Sequence, residues 1–312
     1  MAVLASGAPD APARVRRRGR TRRRLVGDLT GWGFVGPATF VVLGLSVFPA
    51  LWALRISRQK WNGIAPPTDL GWTNYRLMAE DPDLFAAVRH TVVLTVLFVP
   101  LSLLLGLLLA IALNQPIRFV GFYRTCIFIP FVVSAAVTGI IASFVFNPQF
   151  GVVNSGLRAL DLPAQQFLES SSQVLPVLVV VSLWGSVGFT LVVYLAALQD
   201  IPRELTEAAL VDGANRRQVF WYVTVPQLRP VTVFTTVWQT ITALQLFDLI
   251  FTTTRGGPLG ASQTVVYYVY YQFRELQRYG YASAVSYGLF AVTMLLTVGM
   301  ALYARRRGAE AF

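Results

Sequence analysis

Six long apolar stretches divide the chain: Gly33–Leu54, Thr91–Leu113, Thr125–Phe146, Val174–Leu198, Val231–Phe251 and Ala282–Tyr303. Each holds the roughly 20 residues that a helix needs to cross about 30 Å of hydrocarbon. The runs are too long for strands, so the pattern predicts an all-α integral membrane protein with six transmembrane helices. Five of the six contain no charged residue, and the fifth contains one, Asp248. Pro37, Pro49, Pro100, Pro130 and Pro176 fall inside spans. Membrane helices tolerate them where neighbours satisfy the freed carbonyls.

Composition agrees with that pattern. Of 312 residues, 55% are hydrophobic and only 13% charged, and mean hydropathy is +0.57. A soluble surface needs about a quarter charged residues. Basic residues number 26 against 15 acids, a net charge of +11. A nucleic-acid binder could share that charge but not the hydropathy. A single cysteine, Cys126, excludes an internal disulfide, and a single histidine, His90, leaves no His-rich metal site. Both are expected to serve packing or the interface. The only lysine, Lys60, follows Arg58-Gln59 with no glycine before it, so the chain carries no phosphate-binding loop. With no nucleophile–base pair either, it is expected not to be an enzyme.

Positive residues set the expected orientation. Six spans put both termini, the second–third loop and the fourth–fifth loop on one side. That side holds 17 of the basic residues, including Arg118, Arg124, Arg203, Arg216, Arg217 and Arg229, against 9 on the other. Both termini are therefore expected in the cytoplasm. Residues 1–30 are expected to form a basic tail without fixed structure, 31–307 the six-helix domain with a cytoplasmic loop at 199–230, and 308–312 a short C-terminal tail.

That loop carries the most information. Pro202 suits the first turn of a short helix, and Gly213 can take the positive φ that ends one helix and begins another. Small residues at Ala208 and Ala209 leave a shallow face beside the charges of Glu207 and Asp212. The spacing predicts two short helices joined at a bend, either docking on another protein or resting on lipid head groups.

Glu207-Ala208-Ala209, three residues, Gly213, nine residues, then Val223, Val225 and Pro226 resembles the EAA signature of binding-protein-dependent ABC importer permeases. Valines stand where that family more often has Ile and Leu. Further segments resemble its carbohydrate-uptake branch: Phe146-Asn147-Pro148 with Gly151 and Asn154, Trp184 with Gly188-Phe189, and Phe247-Asp248. Thr254-Arg255-Gly256-Gly257-Pro258 and Gly280-Tyr281-Ala282-Ser283-Ala284 complete the series. The likeness runs from about Phe34 to Arg307 and points to the first-type permease of a heteromeric pair, similar to maltose and glycerol-3-phosphate systems. It implies a type I importer fold in a prokaryotic cell membrane, a second permease subunit, two ATPase subunits that bind ATP and Mg, and an extracytoplasmic solute-binding protein. No cofactor is expected in this chain. Glu207, Ala208, Ala209, Asp212 and Gly213 would form the coupling helix seated in the ATPase.

Polar side chains deep in a span are expensive unless they line a cavity or meet another helix. Thr235, Gln239, Thr242 and Gln245 fall within an arc of roughly 120° at about 100° per residue. Ser182, Ser186 and Phe189 share a face of the fourth span. A ring beside amides and hydroxyls suits a sugar, and by resemblance these helices line the central cavity; interhelical hydrogen bonding is the competing role. Asp248 could meet solute, pair with an extracytoplasmic arginine such as Arg255, cap its helix or relay protons, although a relay would need a chain of ionisable groups across the bilayer that the spans do not hold. The leading expectation is import of a sugar or oligosaccharide. The alternatives are a permease for glycerol-3-phosphate or a glycerophosphodiester, and, more remotely, a secondary carrier or membrane scaffold.

Overall fold

The computed structural model describes residues 33–306; the basic tail predicted at 1–30 and the short tail at 308–312 lie outside them. Helices are the main element of the described residues, joined by loops and one two-stranded hairpin. Contacts divide it into a unit up to Arg55 and a second from Ile56 onward. In the first, α1 (Gly33–Ile56) is 24 residues long and its most apolar window has no buried residue. Pro49 offers no N–H to the preceding turn. The helix widens to π geometry over Leu43–Val47, just before it.

In the second unit, β1 (Gln59–Lys60) and β2 (Thr68–Asp69) pair antiparallel, followed by α2 (Thr73–Glu80). Helix α3 (Pro82–Leu113) starts nine residues before the predicted span, because Asp81 caps it and Pro82 occupies its first turn. The predicted continuous span Thr125–Phe146 is instead two helices, α4 (Val120–Val132) and α5 (Ala135–Val145), bent by 100°. Val133 and Ser134 are extended at the break. An apolar run reports immersion but not direction, and the chain turns here so that α5 can pack against the end of the fifth span. Helix α6 (Val152–Ala159) precedes α7 (Val174–Asp200). The loop helices α8 (Arg203–Val211) and α9 (Arg216–Val219) follow, and α9 continues through a π stretch to Gln227. The fifth span is also broken: α10 (Arg229–Leu244) and α11 (Asp248–Thr253) are separated at Gln245–Phe247. Helix α12 (Val265–Arg274), absent from the sequence reading, leads to α13 (Tyr279–Arg306).

Three apolar clusters hold this unit. The central one joins Leu94 and Phe98 of α3 to Val174 and Leu178 of α7 and Ile250 of α11. A second, at the N-terminal end of α3, gathers Leu84, Ala87, Val265, Tyr268, Tyr281 and Val285. A third, at its C-terminal end, joins Ala110, Tyr194, Leu195 and Leu228. Close approach is bought by small residues: a Cβ on Gly188 would lie 2.6 Å from the Ile127 carbonyl of α4, and one on Gly106 2.3 Å from Thr190.

Polar groups tie the first of these ends. Asp81 accepts from the Asp83 and Leu84 amides at 3.0 and 3.2 Å, and from the hydroxyls of Tyr268 and Tyr281. Burial opposes ionisation of this carboxyl, but the tyrosine and backbone donors outweigh it and hold its pKa below the usual aspartate value. Burial and the neighbouring carboxylate push the Tyr268 phenol well above its ordinary value. Asn74, also buried, donates to the carbonyls of Ser57 and Gln59 at 2.8 and 3.0 Å. Asn154, buried within α6, does similar work. Its amide donates to the Pro148 and Gln165 carbonyls at 3.0 and 2.8 Å and accepts from the Gln165 N–H at 2.9 Å.

Candidate functional site

The loop between α7 and α10 is built locally. Helix α8 begins after Pro202 and ends at Val211, and just beyond it Gly213 has a φ of +85° in the left-handed region. The Gly213 N–H reaches the Leu210 carbonyl at 3.1 Å and the Ala214 N–H that of Ala209 at 2.9 Å, closing the helix end. Asn215 and Gln218 then form a capping box that starts α9. Nothing lies within 4 Å of a Cβ built on Gly213, so its requirement is conformational rather than steric. Glu207, Ala208 and Asp212 are exposed and Ala209 is half-buried. Leu205, Leu210 and Val211 are exposed beside them, Val211 at 87%. Among the described residues, α8 leaves Glu207 and three apolar side chains exposed.

The polar residues of α10 divide. Gln239, 1% exposed, donates from Nε2 to Thr190 Oγ1 at 2.7 Å and Ser102 Oγ at 3.0 Å. Those two hydroxyls lie 3.1 Å apart. This node pins α3, α7 and α10 together, so here Gln239 makes interhelical contacts and faces no open cavity. Thr235 is buried as well, with its hydroxyl returned to the Val231 carbonyl at 2.7 Å. Thr242 and Gln245 are exposed. The arc splits because its first half packs on α3 and α7, while the helix ends at Leu244 with Gln245 as its C-cap.

Trp238, which sequence reasoning passed over, belongs with the exposed half. Trp238, Thr242 and Gln245 follow i, i+4, i+7 spacing and place a ring, a hydroxyl and an amide on one face. Trp238 is 47% exposed and sits in a ladder of rings. Phe131 to Phe189 is 5.3 Å, Phe189 to Trp238 5.4 Å, and Phe234 to Trp238 6.3 Å between centroids. Phe189 is thus half-buried between two rings, and the ladder spans α4, α7 and α10. An aromatic at i−4 from Thr242 was the available signal. Ser182 and Ser186 have buried hydroxyl oxygens without a hydrogen-bond partner. Asp248 is exposed at the first position of α11, where a negative charge favours the helix N-terminus. Arg255 lies past the other end of that helix. No group of three or more His, Cys, Asp or Glu among the described residues could hold a metal ion.

Comparison with known proteins gives this arrangement a family. Residues 102–307 match the model described as binding-protein-dependent transport system inner membrane component. The chain is 34% identical over 286 residues to the lactose transport system permease protein LacF of Rhizobium radiobacter, covering 90% of this chain and 95% of that one. It is 31% identical over 280 residues to the multiple sugar-binding transport system permease protein MsmF of Streptococcus mutans, covering 89% and 96%. It is 34% identical over 235 residues to the sn-glycerol-3-phosphate transport system permease protein UgpA of Brucella abortus, covering 75% and 80%. The fold also matches a chain of the bacterial alginate ABC transporter crystallised with an alginate pentasaccharide-bound periplasmic protein. There the TM-score is 0.82 at 21% identity, over 92% of this chain and 98% of that one. With its multiple membrane-length helices and the EAA signature on α8, this chain belongs to the inner-membrane permease components of binding-protein-dependent ABC transport systems.

Proposed function

We propose that this chain is the permease subunit through which a sugar or oligosaccharide, delivered by an extracytoplasmic binding protein, enters the cytoplasm at the expense of ATP hydrolysed in partner subunits. The observation that carries this reading is α8, a short helix bearing Glu207-Ala208-Ala209 whose Leu205, Leu210 and Val211 stay exposed among the described residues. A partner ATPase seated on Leu205, Leu210 and Val211 would bury them. The arginine excess supports a cytoplasmic side for that loop and both termini. ATP and Mg then belong to the ATPase, and a second permease completes the pathway.

The exposed face of Trp238, Thr242 and Gln245 is the surface this chain would give to a central cavity. Rings bind the C–H patches of a sugar and the amide and hydroxyl bind its hydroxyls. Ser182 and Ser186 keep unpaired hydroxyls in this conformation, a cost that a second state relieves by opening them to solute. ATP-driven closure of the ATPase would draw the coupling helices together and turn the cavity by rigid-body motion. Sugar is preferred over glycerol-3-phosphate because this face carries no arginine, although a relative named for that phosphate keeps it as the second reading.

The test is ATPase activity of the complex co-purified with its partner subunits, measured with candidate ligand-loaded binding proteins. Stimulation by a sugar-loaded protein supports the proposal. Stimulation by glycerol-3-phosphate alone keeps the importer and replaces its solute. Uptake that proceeds with no ATPase partner overturns the proposal in favour of a carrier.

A further inference from the structure

A groove of about 540 Å³ lies between α4 and α7, walled by Phe128, Ile129 and Val132 of the first and Val192 of the second. None of Trp238, Thr242 and Gln245 lines it, and Arg124, toward the start of α4, is its one charged residue. Ile129, Val132 and Val192 are exposed, so the groove is uncovered among the described residues. From Arg124 to Val132 is eight residues, a rise of about 12 Å along the helix. One leaflet supplies about half of the roughly 30 Å of hydrocarbon. The groove thus runs most of one leaflet's depth before α4 stops at the Val133–Ser134 break. Its volume amounts to little more than one turn of a helix about 10 Å across. That is too little to seat a protein helix along its length, and it suits an extended hydrocarbon chain.

The charge at the mouth of the groove selects the head group. Arg124 is partly exposed and donates from Nη2 to the Leu113 carbonyl, at the end of α3, at 2.8 Å. That bond fixes the guanidinium but leaves its charge without a carboxylate, since it makes no ion pair among the described residues. Arg118 is exposed in the preceding loop, its guanidinium 5.1 Å from the centre of the Phe119 ring. No acid occurs from Asn114 to Val133, so nothing nearby in the chain opposes the two arginines. Phe119, Phe122 and Tyr123 are exposed at this end, as rings are at the level of lipid head groups. By its arginines this is the cytoplasmic end, and the cytoplasmic leaflet carries the negative surface potential of anionic lipids.

We propose that this groove holds an anionic phospholipid of the cytoplasmic leaflet, with its phosphate on Arg124 and one acyl chain along α4 and Val192. Arg118 adds to the attraction without lining the groove. Bound there, the lipid fills the open side of the α4–α7 contact, which Gly188 closes elsewhere against the Ile127 carbonyl. The site stands on the groove and its arginines and is independent of the solute.

The experiment uses the complete transporter in phosphatidylcholine vesicles doped with phosphatidylglycerol that carries a diazirine on one acyl chain. After irradiation, adducts are mapped by mass spectrometry. The expected result is labelling clustered on residues 128–133 and at Val192, competed by unlabelled phosphatidylglycerol and not by phosphatidylcholine. It should fall about fivefold in Arg124→Gln, the equivalent of about 1 kcal/mol for an arginine near an anionic surface, and be retained in Arg124→Lys. Arg124 also serves the end of α3, so Val192→Trp keeps the test valid if Arg124→Gln fails to fold. That variant fills the groove from the exposed side of α7, leaves Arg124 in place and should lower labelling as strongly. Equal labelling by a diazirine phosphatidylcholine would mean ordinary boundary lipid and overturn the proposal, as would labelling indifferent to the variants. So would efficient cross-linking of Val132→Cys, in a Cys126→Ser background, to a second permease subunit, since the groove would then be covered by protein.

Discussion

The two ends of the helical unit are held in opposite ways. At one, the hairpin, α12 and α13 are tied by Asp81, its tyrosines and Asn74. Gly280 lies so close to the hairpin that a Cβ there would fall 1.8 Å from the Gln59 carbonyl. At the other end, α8 stands with exposed leucines and a valine, and Gly213 has open space around it. Both glycines are required, one for proximity and one for its dihedral angles. The tied end is held by hydrogen bonds and packing among the described residues. The open end has a fixed shape but no cover, as a surface made to be gripped requires.

That contrast can be broken at four points, in decreasing order of effect. Gly280→Val forces the hairpin from α13. It should cost about 3 kcal/mol, at the upper end of overpacking penalties, and appear as loss of folded protein in a detergent melt. Gly213→Val meets no steric obstacle but strains the left-handed turn by about 1–2 kcal/mol. The protein should insert and melt nearly normally while binding-protein-stimulated uptake drops at least tenfold; normal uptake would remove α8 from coupling.

Gln239→Leu removes the donor joining Ser102 and Thr190. A loss of about 0.6–2 kcal/mol in helix association is expected, with the ranking of transported solutes unchanged. A changed ranking would return Gln239 to the cavity. Asp81→Asn should have the smallest effect at neutral pH, about 1 kcal/mol for weakened hydrogen bonds. It also has a signature. Because the folded carboxyl has a lowered pKa, its stabilisation is present above the unfolded value of about 3.9 and disappears as pH falls through the folded value below it. Melting points measured as pH falls from neutral through the folded value should therefore converge for wild type and variant; a constant gap would contradict the charged Asp81 knot.

Most of the fold could be read from the sequence because membrane immersion demands long apolar runs, and all six predicted spans correspond to membrane-length helices or helix pairs. The breaks escaped notice for the same reason. Val133-Ser134 and Gln245–Phe247 sit inside long apolar runs that mark immersion rather than direction, and beyond the first break α5 packs on α11, with Gly139 lying against Thr252. Helix α12 was hidden because its tyrosines and Gln272 are neither apolar enough for a span nor marked by a motif. On α10, the helical period grouped Gln239 with Gln245 correctly by angle but could not tell that packing on α3 and α7 covers only one of them. Trp238 was missed because an aromatic in an apolar run looks like any other core residue.

The most direct test of the central claim is a cross-link from Val211→Cys, in a Cys126→Ser background, within the transporter assembled with its ATPase subunits. The account predicts an efficient disulfide or short-linker bond to an ATPase subunit bearing cysteines along its permease-facing cleft, lost when the ATPase is omitted. A complex that assembles and hydrolyses ATP normally, yet leaves residue 211 freely reactive to water-soluble thiol reagents, would contradict it.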